Sequence, residues 1–337
     1  MKHTLLLITV FYLFGCKNSS ENKTNNKDTV ALEQPQNQWG VNDSTSIVKN
    51  QTLTYEEAYN QALKLWQVPF EEKYINTHFG KAHVIVSGPE NAEPLILLHG
   101  LNASSTMWYP NIKQLSEYYR IYAIDFFMEP GKSVCQREVE NTTQIIDWYY
   151  EIFDQLHLKK FSLLGASRGG WLGMNIALRD KKRVDKIVLL SPAQTFTWIK
   201  PGSDIMYNIA YSIFPKRKHL RSVLETMTVD IDKISQAYIN QYYLATKKAT
   251  LDNCFMQMTP FTDKQLKSLT MPVLLMVGDA DIINDAESLK RAKKLLPNLT
   301  TLKIKNAGHF LSVDQPEIVN KEIIDFLKQK KSLFKLK

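Results

Sequence analysis

Cysteine is scarce in this chain: Cys16, Cys135 and Cys254 are the three in 337 residues. Cys16 closes an N-terminal apolar run, so the other two cannot build a disulfide framework, and a chain of this length does not need one. They read as buried thiols, with a single bridge as the alternative. No apolar run is long enough to cross a bilayer, since residues 5–14 supply about half of the ~20 that a spanning helix requires. No internal repeat is visible, which leaves successive elements of one fold rather than a repeat array. The excess of base is not concentrated either. Lys and Arg number 42 against 34 Asp and Glu, a formal charge of +8, yet acids are interspersed throughout, which argues against a nucleic-acid partner. The densest basic run, Lys216-Arg217-Lys218-His219-Leu220-Arg221, reads as a solvated face, with weak attraction to anionic lipid as the alternative.

At 44% hydrophobic, the chain has ample material for a large buried core. Its N-terminus stands apart. Lys2 and His3 precede the apolar run, and Gly15 precedes Cys16, the pattern of a signal segment that does not belong to the fold. Leu13-Phe14-Gly15-Cys16 resembles a bacterial lipobox, in which the Cys becomes the lipidated first residue. Phe14 departs from the small or β-branched residue usual there, which keeps a secreted or periplasmic chain open as the alternative. Residues 17–50 are rich in Asn, Ser, Thr, Lys, Gln and Asp and lack apolar periodicity. Such a segment buries too little to offset its chain entropy and reads as a flexible tether. The expected location is the bacterial cell envelope, on a membrane through Cys16.

Beyond the tether, Thr54 with Glu57 three residues on is a capping-box pattern opening a helix over residues 54–66. Residues 72–79 and 82–87 are β-rich and fit a hairpin. From residue 95 the grammar changes. Residues 95–98, 121–124, 161–164, 187–190 and 273–277 are short continuous apolar runs, as suits parallel strands covered on both faces. Between them, residues 142–156, 169–178, 286–296 and 316–328 carry helical spacing, so the class is α/β. The rhythm breaks over about residues 193–262, which hold Trp198, Tyr207, Tyr211, Phe214, Tyr238, Tyr242 and Tyr243 and no strand-like run. This reads as a helical insertion over the carboxyl edge of the sheet, where open α/β sheets bind ligands. An aromatic cap there would shape a pocket, and most of its aromatics are expected to pack it onto the core.

Gly165-Ala166-Ser167-Arg168-Gly169-Gly170 follows one expected strand and opens an expected helix. A nucleophile elbow demands that order, because the Ser hydroxyl must be lifted off the sheet edge on a tight, strained turn. The helix that follows points its N-terminal dipole at charge developing beside Ser167. A serine hydroxyl needs a base, and His309 in Ala307-Gly308-His309-Phe310 lies after a strand-like run and downstream of Ser167. His78, His83, His157 and His219 lack a matching loop, and His3 lies in the signal. An acid must orient the base. Gly278-Asp279-Ala280-Asp281 follows the run ending at Val277, with Asp281 first choice, Asp285 second and Asp279 third. The oxyanion needs two backbone donors, expected at Arg168 and at Leu101 of His99-Gly100-Leu101-Asn102. His99 itself reads as a residue that stabilises its loop.

Together, His99-Gly100, the elbow at Ser167, Gly278 with Asp281, Ala307-Gly308-His309 and the tail Asp314-Gln315-Pro316 with Ile323, Phe326 and Leu327 resemble the α/β-hydrolase superfamily. The resemblance covers about residues 72–328 and is nearest to bacterial carboxylesterase-like members with a helical cap. It implies a mostly parallel sheet flanked by helices and a Ser-Asp-His triad at Ser167, Asp281 and His309. It also implies hydrolysis of a small-molecule ester through an acyl-enzyme, with neither cofactor nor metal. Residues 1–16 are then signal and lipobox, 17–50 tether, 51–195 and 263–330 the two parts of the core, and 196–262 the cap. Thioester, lactone or carbon-carbon bond cleavage and acyl transfer use the same parts. From another class, a catalytically silent envelope binding protein could keep the fold.

Two departures from the family pattern stand out. After Asp125, where a Gly-rich loop is usual, the chain reads Phe126-Phe127-Met128-Glu129-Pro130-Gly131-Lys132-Ser133. Arg168 is charged where an apolar or aromatic residue is common, and is expected either to pair with an acid such as Glu129 or to meet an anionic substrate group.

Overall fold

A computed structural model describes residues 30–31, 52–249 and 258–329. The signal-like segment with Cys16, nearly all of the tether, and Cys254 lie outside the described residues. The strands are β1 (Val30–Ala31), β2 (Thr52–Leu53), β3 (Phe70–Thr77), β4 (Gly80–Ser87), β5 (Glu93–Leu98), β6 (Tyr119–Ile124), β7 (Val134–Cys135), β8 (Phe161–Ala166), β9 (Val184–Leu190), β10 (Val273–Gly278) and β11 (Leu299–Ile304). The helices are α1 (Tyr55–Leu63), α2 (Ile112–Leu115), α3 (Thr142–Gln155), α4 (Arg168–Arg179), α5 (Ser203–Ile213), α6 (Arg217–Met227), α7 (Gln236–Lys248), α8 (Asp263–Lys267), α9 (Ala286–Leu295), α10 (Leu311–Asp314) and α11 (Pro316–Lys328).

Why the apolar runs become central strands is visible in where successive side chains go. Leu95 and Leu97 join one core while Ile96 and Leu98 join the other, and Leu163/Leu164, Ile187/Val188 and Leu275/Met276 divide the same way. With a period of two, a continuous apolar run is what a strand buried on both faces requires. Each of these β5 leucines and isoleucines is fully withdrawn from water, worth roughly 1.5–3 kcal/mol apiece. Helices α3, α4 and α9 cover one face, and α1, α2 and α11 the other. Thr54 opens α1 with the expected capping box, accepting from the Glu57 amide while its own amide donates to the Glu57 carboxylate at 2.8 Å.

The main sheet has the order β11-β10-β9-β8-β5-β6-β4-β3, with β7 paired to β4. Pairs from β11 through β8 and β5 to β6 are parallel, and the β3–β4 hairpin adds antiparallel to β6. The chain runs from β5 outward to β6, then crosses back to β8 on the other side of β5. Strand order therefore reverses at β5 and β8, and the crevice beyond their carboxyl ends is the natural ligand site of such a sheet.

Between β9 and β10 the described residues hold helices α5, α6, α7 and the short α8, and no strand. Tyr211, Tyr238, Tyr242 and Tyr243 are buried in a cluster with Leu220 and Leu224, with Leu53 just before α1 and with Ala58 of α1 itself. Two of the aromatics are exceptions to the packing expected of most of them. Trp198 and Phe214 face water, at 52% and 70% exposed. Cys135 is likewise exposed rather than buried, because β7 is a two-residue strand pairing only with the Gly80-Lys81 end of β4.

Candidate active site

Ser167 stands between the last residue of β8 and the first of α4, with φ at +52°. A side chain in that region costs of order 1–3 kcal/mol and persists only where its surroundings enforce it. The enforcement is explicit. The Ser167 amide donates to the Leu190 carbonyl at 2.9 Å, and its carbonyl accepts from Gly170 and Ala193 at 3.0 and 3.1 Å. Glycine at 169 is obligatory, because a Cβ there would lie 2.0 Å from the Leu98 carbonyl oxygen. That contact seats the start of α4 on the end of β5. It also brings the loop after β5 against the nucleophile candidate, since a Cβ on Gly100 would sit 3.4 Å from that of Ser167.

Asp281 and His309 are joined by a hydrogen bond of 3.0 Å from imidazole Nδ1 to carboxylate Oδ1. The bond fixes the tautomer, leaving Nε2 with its lone pair. Asp281 also accepts from the Ile283 amide at 2.9 Å and the Asn284 side-chain amide at 3.0 Å. Burial opposes its charge, but His309 and these donors outweigh that and hold its carboxyl below the ordinary value. Among the described residues no hydrogen bond joins Ser167 to His309, a contact that free hydrolases often make only with substrate in place.

The acids that were alternatives to Asp281 have other partners. Asp279 accepts from the Ala307 amide at 3.1 Å, and Asp285 caps α9 by accepting from the Ser288 amide at 2.8 Å and pairs with Lys200. Both hold backbone rather than the imidazole. The β10 and β11 loops meet closely enough that a Cβ on Gly278 would fall 2.2 Å from the Ala307 carbonyl oxygen.

On the other side of Ser167, buried His99 donates from Nδ1 to the Gly100 carbonyl at 2.9 Å and accepts at Nε2 from the Phe126 amide at 2.8 Å. Both nitrogens are committed to backbone, and burial holds the imidazole below its ordinary pKa. It stays neutral and shapes the loop. The expected pairing of Arg168 is present: its guanidinium bonds the Glu129 carboxylate and lies over the Phe126 ring at 4.6 Å, with both charged side chains 4% exposed. The second Glu129 oxygen accepts from the Asn102 amide at 3.0 Å. One carboxylate thus ties the Leu101-Asn102 loop to the residue beside Ser167.

These features, a strained serine at the sheet's reversal point and an Asp-His pair at the ends of neighbouring strands, are those of one fold family. This chain is an α/β-hydrolase. The family model described as serine aminopeptidase, S33 matches residues 89–315. A Bacillus subtilis (strain 168) protein named "Uncharacterized carboxylesterase nap" is 36% identical over 293 residues, 85% of this chain and 96% of its own. Carboxylesterase YbfK of the same bacterium is 36% identical over 284 residues, 82% of this chain and 94% of its own. The crystal structure of naproxen esterase (carboxylesterase NP) from Bacillus subtilis superposes with a TM-score of 0.76 at 34% identity, covering 84% of the hydrolase and all of that chain.

Two residues that hold the hydrolase's site together were not among the candidate site residues read from the sequence, although Asp314 stands in the family-like tail. Buried Asp314 accepts from the Gly308 amide at 2.8 Å and from Thr228, Val229 and Asp230, locking the His309 loop to the end of α6. Gln241 on α7 donates to Ser104 at 2.7 Å and accepts from Thr106 at 2.6 Å, joining the inserted helices to the loop after β5. A glutamine among Tyr238, Tyr242 and Tyr243 was the available hint.

Proposed function

We propose that this hydrolase is a serine carboxylesterase in which Ser167 is the nucleophile, His309 the general base and acid, and Asp281 the residue that orients it. The observation that carries the reading is the 3.0 Å bond from His309 Nδ1 to the buried Asp281 carboxylate, in a chain whose strained Ser167 ends the central strand. His309 Nε2 takes the Ser167 hydroxyl proton as Oγ attacks the ester carbonyl carbon. The tetrahedral oxyanion is held by the backbone amides of Leu101 and Arg168. The imidazolium then protonates the departing alkoxide, and the alcohol leaves an acyl-enzyme. Water, deprotonated at the same nitrogen, releases the acid and restores Ser167. Asp281 remains ionised throughout, as its lowered pKa favours.

Helices α5 to α7 form the cap over this site within the 196–262 segment, and α7 meets the loop after β5 through Gln241. The two carboxylesterase relatives from Bacillus subtilis support an ester as substrate. The lipobox-like Leu13-Phe14-Gly15-Cys16 supports attachment to a bacterial membrane. Among the described residues no helix is long and apolar enough to cross one.

The test is turnover of short p-nitrophenyl esters by the parent chain and by Ser167→Ala, with covalent labelling by a fluorophosphonate. Turnover and labelling that both vanish in the variant support the reading. Equal turnover in the two chains, or none in the parent, would sink it. Mass spectrometry of the mature N-terminus tests the anchor, which an unmodified chain starting elsewhere than Cys16 would rule out.

A further inference from the structure

The outer face of α5 is apolar where a surface helix is ordinarily polar. Ile205 and Tyr211 turn inward, while Met206, Ala210, Ile213 and Phe214 face water, with Met206 at 45%, Ile213 at 37% and Phe214 at 70% exposed. Positions i, i+4 and i+7 lie on one side of a helix, so Met206, Ala210 and Ile213 make a continuous stripe, and Phe214 extends it as the exposed residue that ends the helix.

The stripe runs directly into charge of a single sign. Lys216 and Lys218 follow, both exposed and in no ion pair among the described residues, and no acid occurs between Asp204 and Glu225. Arg217 is different: it turns inward, over the Tyr243 ring at 5.2 Å and onto Asn240. The N-terminal segment also joins the fold here. Leu53 is buried in the cluster that holds Tyr211, Leu220 and Tyr243, so the residues before α1 enter the molecule at the helices that bear the stripe.

An apolar stripe flanked by unpaired lysines is the pattern of an interfacial helix, whose apolar side chains enter the headgroup boundary while the ammonium groups stay with lipid phosphates. A second copy of this chain is a poorer occupant. An isologous contact over the stripe would offer Lys216 and Lys218 a partner helix whose one acid is Asp204, against the many phosphates of a lipid surface. We propose that the outer face of α5, with Lys216 and Lys218, is a docking surface for a bilayer containing anionic lipid. The surface is independent of any catalytic assignment.

Because the N-terminal segment can hold the chain on vesicles by itself, the readout must come from the cap. The full chain, in parent form and as Phe214→Trp, is mixed with vesicles whose acyl chains carry bromine, made of phosphatidylcholine alone or with phosphatidylglycerol. The variant is expected to show a quenched component that the parent lacks, with phosphatidylglycerol only, and to lose it at high salt. Adding Lys216→Gln and Lys218→Gln should shift the equilibrium between the quenched and unquenched states of the indole at position 214 by about fivefold per lysine. Matching thermal unfolding midpoints certify that the variants are folded. Equal quenching in variant and parent, while both sediment with the vesicles, overturns the proposal in favour of the N-terminal segment alone. Failure to sediment overturns it too, as does a concentration-dependent dimer that shields position 214 from an aqueous quencher.

Discussion

Replacing Glu129 by Ala tests how the two proposed oxyanion donors are held together. In the native chain this carboxylate neutralises Arg168, accepts from the Asn102 amide at 3.0 Å, and does both out of water. Deleting it leaves a guanidinium buried without its carboxylate, which costs about 3–5 kcal/mol, while the Asn102 amide loses its acceptor as well. For a domain of this size that corresponds to a fall in Tm of roughly 6–20 °C. Leu101 precedes Asn102, and the Arg168 amide belongs to the residue whose side chain Glu129 holds. Loosening both should therefore lower kcat more than it raises KM, by up to the ~100-fold that loss of one oxyanion donor costs. Glu129→Gln combined with Arg168→Met removes both charges at once and should recover most of the lost stability, since well-packed neutral replacements are tolerated. Because the bridge is still absent, kcat should stay low. Calorimetry and ester kinetics on the two variants read these quantities separately. A Glu129→Ala chain that melts within about 2 °C of the parent would refute the electrostatic argument. A large loss of Tm with kcat unchanged would show that the oxyanion loops do not depend on the bridge.

Other expectations follow from the same geometry. Asp281→Asn should lower kcat by about four orders of magnitude, while Asp279→Asn and Asp285→Asn leave it within about tenfold, and steady-state kinetics on the three separates the acids. Gly169→Ala should destabilise the fold by about 3 kcal/mol or more, because its Cβ would fall 2.0 Å from the Leu98 carbonyl oxygen; an unchanged urea midpoint would contradict that placement. Acid should unfold the chain partly through Asp125. Burial raises its pKa, but its bond to His83 at 3.0 Å and the Lys132 amide at 2.8 Å bring it well below the usual carboxylate range. Its folded value lies below an unfolded one near 3.9, so its contribution is complete above about pH 4 and is lost as pH falls through the folded value. Asp125→Asn should lower stability at neutral pH and flatten the acid limb in urea melts across pH, and a limb of unchanged slope would rule this out.

Much of the fold was legible because its signals are local. The apolar runs became the central strands almost within the residues expected, since a strand buried on both faces needs no polar alternation, and Thr54 capped its helix through a residue only three positions away. The strand-to-helix turn at Ser167 was legible for the same reason: small neighbours permit a backbone at positive φ wherever the chain folds. Which acid meets the imidazole was another matter. Asp279 and Asp281 lie two residues apart on one loop, and only the approach of the β11 loop decided that Asp281 bonds His309 while Asp279 bonds the Ala307 backbone. Asp314 and Gln241 became visible as anchors only once α6 and α7 lay against the loops they hold. Met206 is apolar like its neighbour Ile205, yet it faces water while Ile205 is buried, because the packing of α5 fixes which side of the helix turns inward. The sequence by itself determined the order of the elements, the strand-to-helix turn at Ser167 and the short list of candidate site residues, since backbone preference and hydrophobic period act over a few residues. Only the tertiary structure decided the partners of Asp281, Glu129 and Asp314 and the outward face of α5, because those depend on contacts between segments far apart in the chain.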